Sequence, residues 1–98
     1  MKIPDEIQIL GSVIKTVYEQ QLLEEQEMGG QTNPPFNEIR LRKFIESREI
    51  GNDKLFETYF HEVLHTIFNK IGYKEIAKDE TFITSMSNAL IQIIKQLK

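Results

Sequence analysis

Apolar and polar residues alternate along Glu6-Ile7-Gln8-Ile9-Leu10, and Gly11-Ser12 then supplies a turn before the β-branched and aromatic run Val13-Ile14-Lys15-Thr16-Val17-Tyr18. A repeat of two with this composition predicts a β-hairpin. Residues 19–28 favour helix by propensity, with a polar excursion between strands as the alternative. Gly29-Gly30 ends that piece, and Thr32-Asn33-Pro34-Pro35 is a cluster of breakers that reads as a loop or hairpin tip. Alternation returns over Asn37–Lys43 and predicts a half-buried strand, with Ile39 and Leu41 inward and Glu38, Arg40 and Arg42 outward. A charged stretch, Glu46-Ser47-Arg48-Glu49, leads to Gly51.

Beyond Gly51 the spacing changes. Leu55, Phe56, Tyr59, Phe60, Val63, Leu64, Ile67, Phe68 and Ile71 recur at three- and four-residue steps, which predicts a helix over residues 52–71 with one broad buried stripe. Asn52 or Asp53 is placed to cap it, Lys70 suits its last turn, and Gly72 stops it. A second helix is predicted over residues 79–97, with Asp79 at its cap, Glu80 in its first turn, and Ile83, Met86, Leu90, Ile93 and Leu97 on its inner face. Residues 1–45 are then mainly strand, and the whole chain 1–98 is one α+β domain, a small antiparallel sheet followed by two helices packed on one of its faces.

The chain of 98 residues suffices for one such domain, and its core is small enough that a bound metal would add useful stability. Net charge is −3 with no lysine- or arginine-rich block, which argues against nucleic acid as a partner. Glu24, Glu25 and Glu27 read as a solvated face. There are no cysteines, so disulfides and thiolate metal sites are excluded. No apolar run has the length of a membrane span and Met1–Asp5 lacks the apolar region of a signal peptide, so the expectation is a cytoplasmic protein without a membrane partner.

The only two histidines, His61 and His65, lie four apart inside the first predicted helix, with Glu62 directly after the first. Two histidines placed at random fall four apart on the order of once in fifty chains of this length. Positions i and i+4 share a helix face, so both imidazoles can reach one zinc ion, as well as simply facing solvent. Glu62, about 100° around the axis, can reach a water on that metal and act as general base. A zinc site of this kind needs a third protein ligand, and without cysteine or further histidine it must be a carboxylate. Glu80 can face the pair if the two helices pack. Asp79 is better placed as a cap, and Thr84 lies one turn further along the face of Glu80.

Phe60-His61-Glu62-Val63-Leu64-His65-Thr66-Ile67-Phe68, followed by Ile71-Gly72-Tyr73, Asp79-Glu80 and Ser87-Asn88-Ala89-Leu90, resembles a family of minimal zincin-like (gluzincin-type) metallopeptidases encoded by phages and prophages. The resemblance covers about residues 37–97 and implies zinc ligands at His61, His65 and Glu80, with Glu62 as the catalytic base. It further implies hydrolysis of a peptide or protein substrate by a zinc-activated water, with the substrate lying along a strand before the motif helix, here Asn37–Lys43. Ser87 and Asn88 are the candidates for a polar group behind the ligand glutamate. Some relatives carry a carboxylate where this chain has Thr84, which bears on the third ligand. The competing readings are a non-catalytic zincin-fold binding or regulatory protein of phage origin, and a small phage protein with no metal.

Overall fold

The computed structural model of the chain describes residues 1–97. The first hairpin forms from β1 (Glu6–Ile9) and β2 (Ser12–Tyr18), antiparallel, with Ile9 opposite Ser12. Its two-residue loop is therefore Leu10-Gly11, one position earlier than the Gly11-Ser12 pair suggested. Both loop residues take left-handed backbone, φ 48° and 85°. Such a turn has the twist of the strands it joins, and Gly11 enters it without steric cost.

The polar segment after β2 does become a helix, α1 (Gln20–Glu25), and its glutamates face solvent. The chain then enters β3 (Gly30–Asn33), so Thr32 and Asn33 of the breaker cluster are strand while Pro34-Pro35 lie at a hairpin tip, the second of the two readings of that cluster. The two prolines open a short 3-10 turn, Pro34–Phe36, and β4 (Glu38–Leu41) returns beside β3. The sheet order is β1-β2-β4-β3. The fold class is α+β as expected, but the sheet is mixed. β4 is antiparallel to β3 (Thr32 opposite Ile39) and parallel to β2 (Thr16 opposite Ile39), because α1 and β3 carry the chain back before β4 begins. A minor hairpin, β5 (Phe44–Ile45) and β6 (Arg48–Glu49), turns at Glu46 and Ser47, both with positive φ.

Helix α2 (Asn52–Lys70) lies over this sheet. Its N-cap is Gly51, not Asn52 or Asp53, and the Asn52 amide instead donates to the Met1 carbonyl at 2.9 Å. The core joins Ile9, Ile14, Ile39 and Leu41 of the sheet to Tyr59 and Val63 of α2. Each such aliphatic side chain withdrawn from water contributes roughly 1.5–3 kcal/mol. Ile39 and Leu41 point inward as the alternation required.

A short helix, α3 (Lys74–Ala77), follows Gly72 and was not foreseen. Helix α4 (Glu80–Gln96) starts at Asp79, whose carboxylate accepts from the Phe82 N–H at 3.1 Å, the cap expected of it. Its buried line is Ile83, Ser87 and Ile91, flanked by half-buried Met86, Leu90 and Ile94, while Ile93 and Leu97 are exposed. The inner face is thus rotated from the 83-86-90-93-97 line, because a serine occupies one of its central positions and hides the four-residue step from an apolar pattern. Phe82 meets Phe68 edge-on, ring centroids 5.7 Å apart, and ties the start of α4 to α2.

A close contact lies between β3 and α2. Two strand residues advance about 6.8 Å and four helical residues about 6 Å. Gly30 and Thr32, two apart on one face of β3, therefore match Thr58 and Glu62, four apart on α2. A Cβ on Gly30 would stand 2.8 Å from Thr58 Cγ2 and 3.3 Å from the Arg40 carbonyl oxygen. Gly30→Ala is expected to cost about 1–3 kcal/mol in urea unfolding, and Thr58→Ser, which removes the nearest methyl, to recover part of that loss. Equal midpoints for wild type and Gly30→Ala would show that the two elements are not in contact there.

Tyr59 is buried, and its hydroxyl has no hydrogen-bond partner among the described residues. Burial raises its pKa above the ordinary value of 10.0. The folded chain then holds the phenolic proton more tightly than the unfolded chain, so this residue's contribution to stability is intact below pH of about 10 and falls above it. Tyr59→Phe is expected to match or exceed the wild type by up to about 1 kcal/mol at neutral pH, with the difference widening in urea titrations above pH 10.

Candidate metal centre

On α2 the four-residue spacing sets the His61 and His65 rings side by side, centroids 4.8 Å apart and Nε2 atoms 3.1 Å apart. Packing of α4 against α2 then brings in Glu80. Its Oε2 is 3.0 Å from His61 Nε2 and its Oε1 is 2.8 Å from His65 Nε2. These three side chains, two half-buried and one exposed, form a group that could hold a metal ion.

The hydrogen bonding of His65 makes the arrangement specific. Ala77 ends α3, and its carbonyl is one of the orphan acceptors that a helix C-terminus leaves. That carbonyl makes a short hydrogen bond with His65 Nδ1. A carbonyl only accepts, so Nδ1 carries the hydrogen and a neutral imidazole keeps its lone pair on Nε2. The lone pair then faces a carboxylate oxygen at 2.8 Å and a second imidazole nitrogen at 3.1 Å. Acceptors this close repel unless positive charge lies between them. One proton relieves one pair, whereas one metal ion placed among the three atoms relieves all of them. Fixing a ligand histidine through its other nitrogen is also the usual way a protein presets such a site.

Glu62 is held by a different element. It is only 8% exposed, and Thr32 Oγ1 on β3 donates to its Oε1 at 2.7 Å. Its backbone carbonyl accepts from Thr66 Oγ1 at 2.9 Å. Glu62 lies at the wall of the same cleft, about 1050 Å³, that α2, α4 and β3 enclose around the histidines. Among the remaining candidates, Asp79 is engaged as the cap of α4 and Thr84 lines the cleft one turn beyond Glu80. Ser87 and Asn88 line it as well. Neither hydrogen-bonds to Glu80, and the buried Ser87 hydroxyl has no partner among the described residues. Two contributors were not visible in the sequence. Thr32 sat inside an apparent loop, and the Ala77 carbonyl is a backbone atom on a four-residue helix that no periodicity announces.

The strand beside the cleft also differs from the one expected. Asn37–Lys43 contains β4, which is enclosed between β2 and β3 and uses its ladder groups on both sides. The edge belongs to β3. The Arg42 N–H donates to the Gly29 carbonyl, which makes Gly30 and Leu41 a pair without direct hydrogen bonds. By the antiparallel alternation, the N–H and C=O groups of Gly30 and Thr32 point away from β4 at the free edge. Gly29, Gly30, Gln31 and Thr32 all border the cleft.

No described helix is long and apolar enough to cross a membrane. Comparison with protein-family models, curated proteins and solved structures finds no match.

Removing any one of the three donors should unseat the ion. His61→Ala, His65→Ala and Glu80→Ala are each expected to weaken Co2+ binding, followed by its visible spectrum, by tenfold or more. Asp79→Ala is expected to cost about 1 kcal/mol of stability, and both it and Thr84→Ala should leave the affinity within about threefold. Undiminished affinity in Glu80→Ala would place the third donor elsewhere.

Proposed function

We propose that this protein is a zinc-dependent metallopeptidase acting on peptide or protein substrates, with His61, His65 and Glu80 as zinc ligands and Glu62 as general base. The observation that carries this reading is the gathering of the His61 and His65 imidazoles and the Glu80 carboxylate, with ligand atoms within 4.8 Å of one another, beside the separately held Glu62 carboxylate. The N···N and N···O separations of 2.8–3.1 Å, which involve both Glu80 oxygens, are of the order of the about 3.3 Å between neighbouring ligands of tetrahedral zinc. Two imidazoles and one carboxylate are a donor set that leaves the fourth position of zinc open. The order His61-Glu62-Val63-Leu64-His65, on which the zincin-like resemblance rests, is in keeping with the same reading.

Zinc in such a site polarises a carbonyl and makes a water more acidic. Everything else falls to the chain. The free edge of β3 offers the main-chain groups of half-buried Thr32 to an extended peptide, while Gly30 is buried under α2. Glu62 accepts one proton from the attacking water as its oxygen bonds to the carbonyl carbon. The carbon–nitrogen bond then breaks, and Glu62 delivers that proton to the departing amine nitrogen. The products are a carboxylic acid and an amine, and Glu62 returns to its starting state. Substrates that already possess secondary structure are poor candidates, since strand addition needs free main-chain groups.

The zinc-loaded protein is expected to hydrolyse an unfolded protein substrate, followed by the appearance of new amines. Glu62→Gln fills the same space and still accepts the Thr32 hydrogen bond but takes no proton. It should lower turnover by a hundredfold or more, on the order of what general-base catalysis contributes, while zinc content stays at one per chain. Equal turnover in the variant would remove Glu62 from the reaction. A zinc-loaded wild type that binds unfolded chains without cleaving them would identify a binding protein instead.

A further inference from the structure

Glu62 has its own support, and that support comes from another element. Its carboxylate is buried, offers about four acceptor positions, and among the described residues has one side-chain donor, Thr32, thirty residues earlier in the chain. The terminal torsion of a glutamate is soft and nearly two-fold, so burial alone does not select an orientation. A hydrogen bond of 2.7 Å to Oε1 does select one, and leaves Oε2 as the free oxygen. Thr32 is itself rigid. Its β-branched side chain has restricted χ1, its backbone is set opposite Ile39 on β4, and its hydroxyl is also 3.2 Å from the Glu62 carbonyl.

We infer that Thr32 is the positioning residue for Glu62, and that it joins the edge on which a peptide would lie to the group that would move the proton. Its side chain faces α2 while its N–H and C=O lie on the free edge of β3. A ligand that orders this edge thereby orders the Glu62 carboxylate. The kinetic part of this inference rests on the proposed peptidase reading; the positioning itself does not.

Thr32→Val preserves shape and removes the donor, and Thr32→Ser preserves the donor. Side-chain relaxation of 13C-labelled glutamate in the metal-free protein reads the positioning directly. The Glu62 order parameter should fall below about 0.6 in Thr32→Val and stay at the wild-type value in Thr32→Ser. A Glu62 that remains as ordered in Thr32→Val overturns the inference, whatever the protein hydrolyses. In the zinc-loaded protein, Thr32→Val should lower kcat by about tenfold to a hundredfold, the scale of a small misplacement, with KM changed far less. Thr32→Ser should recover most of the rate. In a Glu62→Gln background Thr32→Val should have no further effect on kcat, because it acts only through that carboxylate. Additive losses would assign Thr32 a purely structural role and overturn the inference. Loss of Glu62 order in Thr32→Val together with an absence of turnover in the wild type would leave the positioning standing and refute the peptidase reading.

Discussion

The close seating of β3 beneath α2 governs both halves of this molecule. On one side of α2, Tyr59 and Val63 enter the core with Ile14, Ile39 and Leu41. On the adjoining side, Thr58 and Glu62 meet Gly30 and Thr32. A helix that rested higher on the sheet would still bury much of its apolar stripe, but it would lose the hydrogen bond from Thr32 to Glu62. Gly30 sets that height, since any Cβ there meets Thr58 and the β4 backbone. The positions that give the protein its core therefore also set the wall of its cleft.

The candidate metal centre depends on a second and weaker support. Glu80 is well exposed, so water screens its attraction to the histidines and the ion pairs contribute little by themselves. Its position comes from α4, anchored by the Asp79 cap, by Ile83 and by the contact of Phe82 with Phe68. A bound ion adds stability by mass action, about 2.7 kcal/mol at a free concentration one hundred times its dissociation constant. In a chain of this size that is a large share of the total. Ion binding and the docking of α4 on α2 are then one coupled equilibrium, since Glu80 reaches the histidines only when the helices are packed.

Signals that repeat were legible in the sequence. The extents of α2 and α4, the inward side chains of β4 and the shared face of His61 and His65 follow from three- and four-residue or two-residue spacing, while the cap at Asp79 was read from its residue type and Glu80 was reached by eliminating other donors. Features made by one or two residues were not. The β3 strand is four residues long, polar, and ends against two prolines, so its local chemistry is that of a loop. Only pairing with β4 on one side and packing under α2 make it a strand. The inner face of α4 was misplaced because Ser87 is buried where an apolar pattern requires an aliphatic residue. The parallel pairing of β2 with β4 was hidden for a similar reason, because it depends on where α1 and β3 return the chain. Thr32 and the Ala77 carbonyl became visible only with tertiary structure, one through a misread strand and one through a short helix.

The shape of the cleft bears on what such a site could recognise. Its walls are one strand edge, the ligand face of α2, and on α4 a row of small polar side chains at Thr84, Ser87 and Asn88. Met28, Pro34 and Ile91 add apolar surface to the same cleft. The main-chain groups of Thr32 are indifferent to side-chain identity, so under the proposed reading recognition there depends on whether a segment can become extended. Under the proposed reading, selectivity would then reflect the disorder of the substrate more than its sequence. Under that reading, an edge strand whose Thr32 also holds the Glu62 carboxylate would link recognition to chemistry.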